Sequence, residues 1–263
     1  MERQTVDVKE FQHQVPGVRL VAHEVDSDEV KLIPLGDVHL GAPTCEVDKF
    51  LGTVDYIKDS GALVVLMGDL MECASRYSVG AGWVSQTGSP QMQLDFLAET
   101  FEPIKNQILV LLEGNHEFRI WKHTGLMVAK ILADKLGVKY GGYSCFIKLK
   151  VRKQNYVIHA QHGSSNAWYP HTKLTAAMRT ATHTEADVFL YAHTHELLSL
   201  KVPKRYLDLR SRTIKREKKY FVLTGGFLGY EGSYAQRKNL YPTQTGVAKL
   251  KFFGDRWDLH ITT

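Results

Sequence analysis

The chain of 263 residues has few cysteines, no long apolar run and no repeated or low-complexity block. Its three cysteines, Cys45, Cys73 and Cys145, are widely spaced. They form neither an even-numbered disulfide framework nor a C-x-x-C zinc motif, which points to a reducing, cytoplasmic setting. The longest apolar runs, such as Ala62 to Met67, fall far short of the roughly 20 residues that span a bilayer, so no membrane partner is expected. Met1 to Val8 are polar and charged, without the apolar centre of a secretion signal. A hydrophobic fraction of 44% suits a protein that buries a sizeable core, and it excludes disordered and fibrous classes.

What the sequence does contain is an alternation of short apolar runs with stretches of helical period. Lys31 to Leu35, Ala62 to Met67, Gln107 to Leu112 and Asp187 to Ala192 read as buried strands. Glu46 to Ser60 reads as a helix with Thr44 as its cap and Gly61 as its stop. A second helix is expected over Gln91 to Asn106, broken or kinked at Pro103, a third over Thr124 to Leu136, and a fourth over Lys173 to Thr182. Ser144 to Ala160 has the pattern of a hairpin. After His195 the chain turns mainly to strands: Leu197 to Val202, Tyr220 to Thr224, Gly246 to Phe253 and Trp257 to Ile261. No linker of Gly, Ser or Pro separates the two parts. A single α/β domain over 1–263, with mixed sheets layered against helices, fits best.

The expected strand ends carry the chemistry. They read Gly36-Asp37-Val38-His39, Gly68-Asp69, Gly114-Asn115-His116-Glu117, Gln161-His162-Gly163 and His193-Thr194-His195. In α/β folds the carboxyl ends of strands gather along one edge, where ligands bind. Any one of these pieces is commonplace: an Asp after a strand usually caps a helix, and a lone His usually sits in core or on the surface. Five together are another matter. Clustering Asp37, His39, Asp69, Asn115, His162, His193 and His195 is costly without cations. Two divalent metals resolve that cost if one carboxylate bridges them, leaving positions for water and substrate.

The ordered series GDxH, GD, GNHE, HG and HxH resembles the calcineurin-like metallophosphoesterase superfamily, over roughly Lys31 to Thr224. The resemblance implies an α/β/β/α fold, two mixed β-sheets flanked by helices, with the catalytic motifs in 36–195 and a β-rich part in 196–263. It implies that Asp37, His39, Asp69 and His195 hold one metal, and that Asp69 bridges to a second held also by Asn115, His162 and His193. His116 would bind no metal and would act as general acid beside the scissile phosphate. The activity implied is hydrolysis of a phosphate ester by hydroxide held between two divalent ions, with Mn²⁺ first and Fe, Zn²⁺ or Co²⁺ also compatible with the ligand set.

Departures from the pattern bear on substrate. Asp69 is followed by Leu70-Met71-Glu72-Cys73, where the Ser/Thr protein phosphatases of the superfamily read GDxxDRG, so the arginine that grips a phosphomonoester is missing. Asp37-Val38-His39-Leu40-Gly41 is similar to the DxHLG opening of DNA-repair nucleases, and the segment from Gly229 resembles small phage-type members. A phosphodiesterase is therefore expected, a nuclease on DNA or RNA being its sharpest form. A phosphomonoesterase is the alternative. A non-enzymatic nucleic-acid-binding subunit is disfavoured, because every ligand position is retained.

Other features keep two readings. Arg76 to Gly88, with Tyr77 and Trp83 as anchors, is either a lid over the site or a surface insertion. Arg119 either reaches a substrate phosphate or makes a surface ion pair. Glu117 orients the metal ligands, His159 lies in the core or behind the ligands, and Cys73 is not reactive. The formal charge of +5 is concentrated: Lys201 to Tyr220 holds nine Lys/Arg against two acids, Asp208 and Glu217. That stretch either contacts a nucleic-acid backbone, with Tyr206 stacking on a base, or is a solvated hairpin whose lysines protect an edge.

Overall fold

The computed structural model describes residues 19–76, 78, 82–165 and 167–263. Two mixed sheets face each other between layers of helix. The first has the order β13 (Leu259–Thr262), β12 (Lys249–Phe253), β2 (Glu29–Leu35), β3 (Leu63–Leu66), β4 (Ile108–Leu112), β5 (Tyr140–Gly142). From β2 to β5 its strands run parallel, while β12 and β13 are antiparallel additions. The second runs β1 (Leu20–Val25), β6 (Ser144–Val151), β7 (Gln154–Gln161), β8 (Val188–Tyr191), β10 (Thr213–Gly226), β11 (Gly246–Val247), with β9 (Leu197–Asp208) paired to β10.

The apolar content of the strands dictates this layering. β3 and β4 are buried along their whole length, as runs of Leu, Val and Ile covered on both faces must be. Leu32, Val65, Val110 and Leu112 turn toward the second sheet and meet Ile147, Tyr156, Ile158, Val188, Leu190 and Val222 in the inter-sheet core. Ile33, Leu35, Val64, Leu66 and Leu111 turn the other way, onto α1 (Val47–Ser60), α3 (Pro90–Phe101) and α5 (Val128–Leu136). On the far side of the second sheet lies α6 (Pro170–Thr180). α4 (Asn115–Thr124) leaves the end of β4, and α2 (Gly82–Ser85) and α7 (Tyr234–Arg237) are single turns. No helix among the described residues is long and apolar enough to cross a membrane.

The expected strands and the hairpin are present, with shifted ends. Two differences, and one expected break, have physical causes. Thr44 does not cap α1; the cap is Glu46, without a side-chain bond. The Thr44 carbonyl is taken by Gly229 N–H, because Cys45 pairs with Leu228 in an isolated bridge. The break at Pro103 is real: α3 ends at Phe101 and a 3-10 turn over Glu102–Gln107 takes up the proline in its first turn. The expected helix from Thr124 begins only at Val128, as α5, because Thr124 is the last residue of α4 and Gly125 ends that helix in a left-handed conformation (φ 75°). Tyr77 lies outside the described residues, as does the side chain of Trp83. The base of that loop is fastened by Gln86, which bonds both backbone groups of Ala74.

β10 pairs with β8 only over Tyr220–Leu223, whereas its pairing with β9 continues to Thr213↔Asp208. The basic stretch is thus a two-stranded ribbon running beyond the sheet. It projects from the end opposite to Gly226, roughly 40 Å along the strand at about 3.3 Å per residue.

Candidate metal centre

The carboxyl ends of β2, β3, β4, β7 and β8 converge and bring all seven expected ligands to one edge. Asp37, His39 and His195 offer atoms within 4.8 Å of one another, and so do Asp69, His162 and His193. His162 Nε2 lies 3.3 Å from Asp69 Oδ2 and 3.1 Å from Asn115 Oδ1. His39 Nε2 is 3.7 Å from the same Asp69 oxygen and 4.0 Å from Asp37 Oδ1. Asp69 therefore stands between the two groups, where a bridging carboxylate belongs. His39, Asp69 and His116 make a third grouping. It reuses two members of the others, and the Arg119 guanidinium lies 2.7 Å from His116 Nε2, a cation where a metal would compete.

Backbone geometry turns these side chains inward. Nine non-glycine residues among those described have positive φ, and five are Asp37 (48°), His39 (51°), Asp69 (49°), His193 (66°) and His195 (56°). The left-handed region costs an L-residue roughly 1–2 kcal/mol. Backbone bonds between loops hold it there: Asp37 N–H to Gly68 O at 3.0 Å, His39 N–H to Asp69 O at 3.0 Å and Phe227 N–H to Asp37 O at 2.9 Å. The loops also touch at glycine. A Cβ on Gly68 would sit 2.5 Å from Gly114 N, and one on Gly226 2.9 Å from Asp37 Cβ.

The polar partners set which atom of each ligand is available. Nδ1 of His162 faces Met67 O at 2.8 Å and Nδ1 of His39 faces Glu72 Oε2 at 3.2 Å, leaving both Nε2 atoms aimed into the centre. Asp37 uses Oδ2 to accept from His193 N–H at 2.8 Å. Among the described residues Asp37 Oδ1, His39 Nε2 and His193 Nδ1 are buried with no hydrogen-bond partner. Orphaned buried polar atoms of this kind are rare, because each costs free energy unless something binds it. Asp37 Oδ1 and His39 Nε2, 4.0 Å apart, fall in one group of donors and His193 in the neighbouring one, an arrangement that fits divalent cations. The mixed oxygen and nitrogen donors suit Mn²⁺, Fe, Co²⁺ or Zn²⁺.

The electrostatics agree. Burial pushes the Asp37 carboxyl up to about 8, with Asp69 adding to the effect. Burial opposes charge on His162, yet neighbouring Asp69 outweighs it and lifts the imidazole to about 10. Burial drives His193 down to about 4, helped by His162. Titrating groups forced this far apart are a mark of a functional site.

Glu117 and Glu72 brace the centre. Glu117 is buried and accepts four backbone N–H bonds, from Leu70 (2.7 Å), Met71 (3.0 Å), Asp69 (3.0 Å) and Gly114 (3.1 Å), tying the β3 loop to the start of α4. This matches the orienting role expected for it. Glu72 reaches His39 Nδ1 and His116 Nδ1 at 3.2 Å each, so one carboxylate fixes an expected ligand and the expected acid together. Burial acts against its charge, but the bonds from His116 and His39 hold it well below the usual carboxylate range.

Several functional residues escaped sequence reasoning. In the sequence Glu72 reads only as a departure from a motif, because its partners His39 and His116 stand far from it along the chain. Gly226 and the buried pair of Lys173 with Glu196 (2.8 Å), in which Lys173 also bonds Thr194 O at 3.2 Å, gave no local signal at all. Arg119 makes an ion pair, 3.8 Å from Glu72 Oε1, at the edge of the site, and lies against His116. His159 sits in the core between Phe146 and Phe189. Cys73 is buried, and burial raises its thiol pKa, so it is not a nucleophile.

Comparison with known proteins gives one decisive result: residues 30–197 match the family model of the calcineurin-like phosphoesterases. No curated protein matches the chain. Among solved structures, a Vps29 double mutant from Entamoeba histolytica is similar at 13% identity and TM-score 0.42, over 89% of this chain and 100% of the other. A metallophosphoesterase from Sphaerobacter thermophilus gives 14% and 0.38 over 89% of each chain. A conserved uncharacterised protein from Streptococcus pneumoniae, described as a predicted phosphoesterase, gives 15% and 0.38 over 90% and 91%. These likenesses are too distant to carry an argument. The family match spans more than half of the chain and contains every converging strand end, and on that ground the chain belongs to the calcineurin-like phosphoesterase family.

Proposed function

We propose that this protein is a binuclear, metal-dependent phosphodiesterase, with nucleic acid as its substrate class and the cytoplasm as its setting. The observation that carries the reading is that Asp37 Oδ1, His39 Nε2 and His193 Nδ1 are buried and, among the described residues, unpartnered, the first two in one ligand group and His193 in the neighbouring one. Asp37, His39, Asp69 and His195 would hold one divalent ion, and Asp69, Asn115, His162 and His193 the other. Bound there, the pair would make water nucleophilic near neutral pH and offset charge on phosphoryl oxygens.

The remaining chemistry belongs to the chain. His116 Nδ1 bonds the Glu72 carbonyl at 2.9 Å, which fixes the ring with Nε2 toward the centre, 3.9 Å from Asp69 Oδ2. While it accepts from Arg119, Nε2 carries no proton. Once freed it takes one up from water, a charge that burial opposes but Asp69 and Glu72 favour, and it is then placed to protonate the leaving oxygen. Arg119 covers that nitrogen; an arriving phosphoryl oxygen draws the guanidinium to itself, releases Nε2 and gains a charge-assisted bond. A diester fits better than a monoester, because Leu70-Met71-Glu72-Cys73 follow Asp69 and the arginine that grips a phosphomonoester in the protein phosphatases is missing there.

The test is hydrolysis of bis-p-nitrophenyl phosphate against p-nitrophenyl phosphate with Mn²⁺, Zn²⁺, Fe²⁺ or Co²⁺. Diester hydrolysis abolished by chelator is expected. Silence with all four ions would sink the enzyme reading, and a strong monoester preference would replace it with a phosphatase. Asp69→Asn is expected to lose metal, whereas His116→Ala keeps metal and loses roughly 10²–10⁴ in rate. The reverse pattern would overturn the assignment of roles.

A further inference from the structure

The β9–β10 ribbon has two chemically different faces, and the register assigns every residue to one of them. Cross-strand partners point the same way, and successive partners alternate. On one face lie Tyr206 with Lys215, Lys204 with Glu217 and Val202 with Lys219. Its cations are all answered: Lys215 by Asp208, Lys204 by Glu185, and Lys219 by Glu185 and Glu217. The other face carries Lys201, Arg205, Arg216 and Lys218 on its shaft, with Leu207 and Ile214 beyond them. Arg205 and Arg216 stand directly opposite each other and, among the described residues, neither has an acidic partner. One acid reaches this face at all, Asp258, 4.0 Å from Lys218 at the base.

Like charges placed directly opposite on a ribbon destabilise it, and nothing in the packing requires arginine there, since all four cations are exposed. A polyanion that binds both arginines removes the penalty. The distribution of charge indicates its shape. Cations run from Lys201 to Arg205 on one strand and from Arg216 to Lys218 on the other, along about 13 Å of shaft at 3.3 Å per residue. A lipid surface met end-on would engage the tip, Leu209, Arg210 and Arg212. A rod lying along the shaft engages all four.

We propose that this face of the ribbon, Lys201, Arg205, Arg216 and Lys218, docks the phosphate backbone of double-stranded nucleic acid. A two-stranded ribbon fits the major groove, arginine pairs with phosphate in bidentate fashion, and exposed Leu207 and Ile214 supply apolar contact of the kind made there with thymine methyl groups. The inference rests on the nucleic-acid side of the proposed function, but it gives the ribbon a different task from cleavage. Its cations lie roughly 20–35 Å along the strand from Gly226, at about 3.3 Å per residue, so it holds a duplex remote from the bond to be cut, at a separation of about 6–10 base pairs at 3.4 Å each.

The experiment measures anisotropy of a labelled duplex of about 30 base pairs, in chelator, across 50 to 200 mM salt. Arg205→Gln with Arg216→Gln is expected to weaken binding at least tenfold and to flatten the log–log salt slope by about 2, near 0.9 per lost phosphate contact. Lys204→Gln with Lys215→Gln removes the same charge from the other face and is expected to leave both within about threefold and 0.5 of wild type. The arginine variant is also expected to melt at or above the wild-type temperature, which separates lost binding from lost folding. Equal losses from both faces, an unchanged slope, or binding to phosphatidylserine vesicles in place of duplex would each overturn the proposal. Hydrolysis of bis-p-nitrophenyl phosphate, run on the same variants, is expected to be unchanged. A protein that binds duplex through the arginines and hydrolyses nothing refutes the diesterase reading alone. One that hydrolyses the small diester but ignores Arg205 and Arg216 refutes the ribbon alone.

Discussion

Glu117→Gln changes one atom and removes one charge, yet it is expected to loosen the whole centre. The carboxylate receives two N–H groups on each oxygen: Leu70 and Met71 on Oε1, Asp69 and Gly114 on Oε2. Glutamine keeps one oxygen, so in either orientation its amide N–H₂ faces two backbone donors. Two buried donors then lose their acceptor, at about 1–3 kcal/mol each, or roughly 2–6 kcal/mol together. For a chain of this size that lowers the melting midpoint on the order of 10 °C. It is expected to weaken metal binding about 10- to 100-fold, because Asp69 is no longer fixed. Burial and the Asp69 charge push the Glu117 pKa up, while the bond from Met71 N–H works against them. The substitution therefore also reports ionisation: a protonated glutamic acid resembles glutamine, and the effect would vanish. Melting followed by circular dichroism in chelator, then calorimetric titration with Mn²⁺, gives both quantities. A variant that melts within about 2 °C of wild type and binds Mn²⁺ as tightly would refute the claim that an ionised Glu117 holds the β3 loop.

Three further outcomes are expected. Gly114→Ala places a methyl group inside the space of the Asp69 carboxylate and amide, so it should abolish metal binding while secondary structure by circular dichroism survives; normal binding would mean the β4 loop shifts freely. Lys173→Met strands Glu196 in a buried site and is expected to cost about 3–5 kcal/mol in urea unfolding, most of it recovered by adding Glu196→Met. If the double variant is no better than the single, the pair is not the cause. Metal uptake is expected to displace protons: with pKa values of about 10 and about 8, metal-free His162 and Asp37 are both protonated at pH 7 and must release protons to act as ligands. Apparent affinity should therefore rise steeply up to pH 8 and less steeply from 8 to 10, with about two protons released at pH 7 as both ions bind, roughly one per ion, read by calorimetry in buffers of different ionisation heat. Affinity that is flat from pH 6 to 8 would contradict the assignment.

The site was legible because each of its pieces is local. Glycine beside Asp, Asn or His at the end of an apolar run is a pattern within four residues, and the strands that carry the pieces are short enough for composition to mark them. The helix of the GNHE segment was not legible. Asn115 to Thr124 has a polar, aromatic surface with Glu117 its one buried residue, so no apolar stripe announces it. β1 was hidden for a similar reason, since Val21 is its one buried side chain. The bracing groups were invisible on different grounds: Glu72 meets His116 across 44 positions and Gly226 meets Asp37 across an even longer loop, and no window on the sequence spans such distances. The direction of the basic stretch was equally closed to inspection, because charge counts do not say which end of a strand lies at the site.

The left-handed backbone at Asp37, His39, Asp69, His193 and His195 narrows the vocabulary of the site beyond what coordination demands. Asn, Asp and His are several-fold enriched in that region, glycine enters it freely and β-branched residues almost never do. A lineage that lost catalysis would thus remain confined to Asp, Asn, His or Gly at these positions for the sake of its loops alone. Retained ligand letters are, to that extent, a record of loop shape as well as of chemistry. The backbone-neutral way to silence a ligand here is glycine, since alanine removes the donor and keeps the strain.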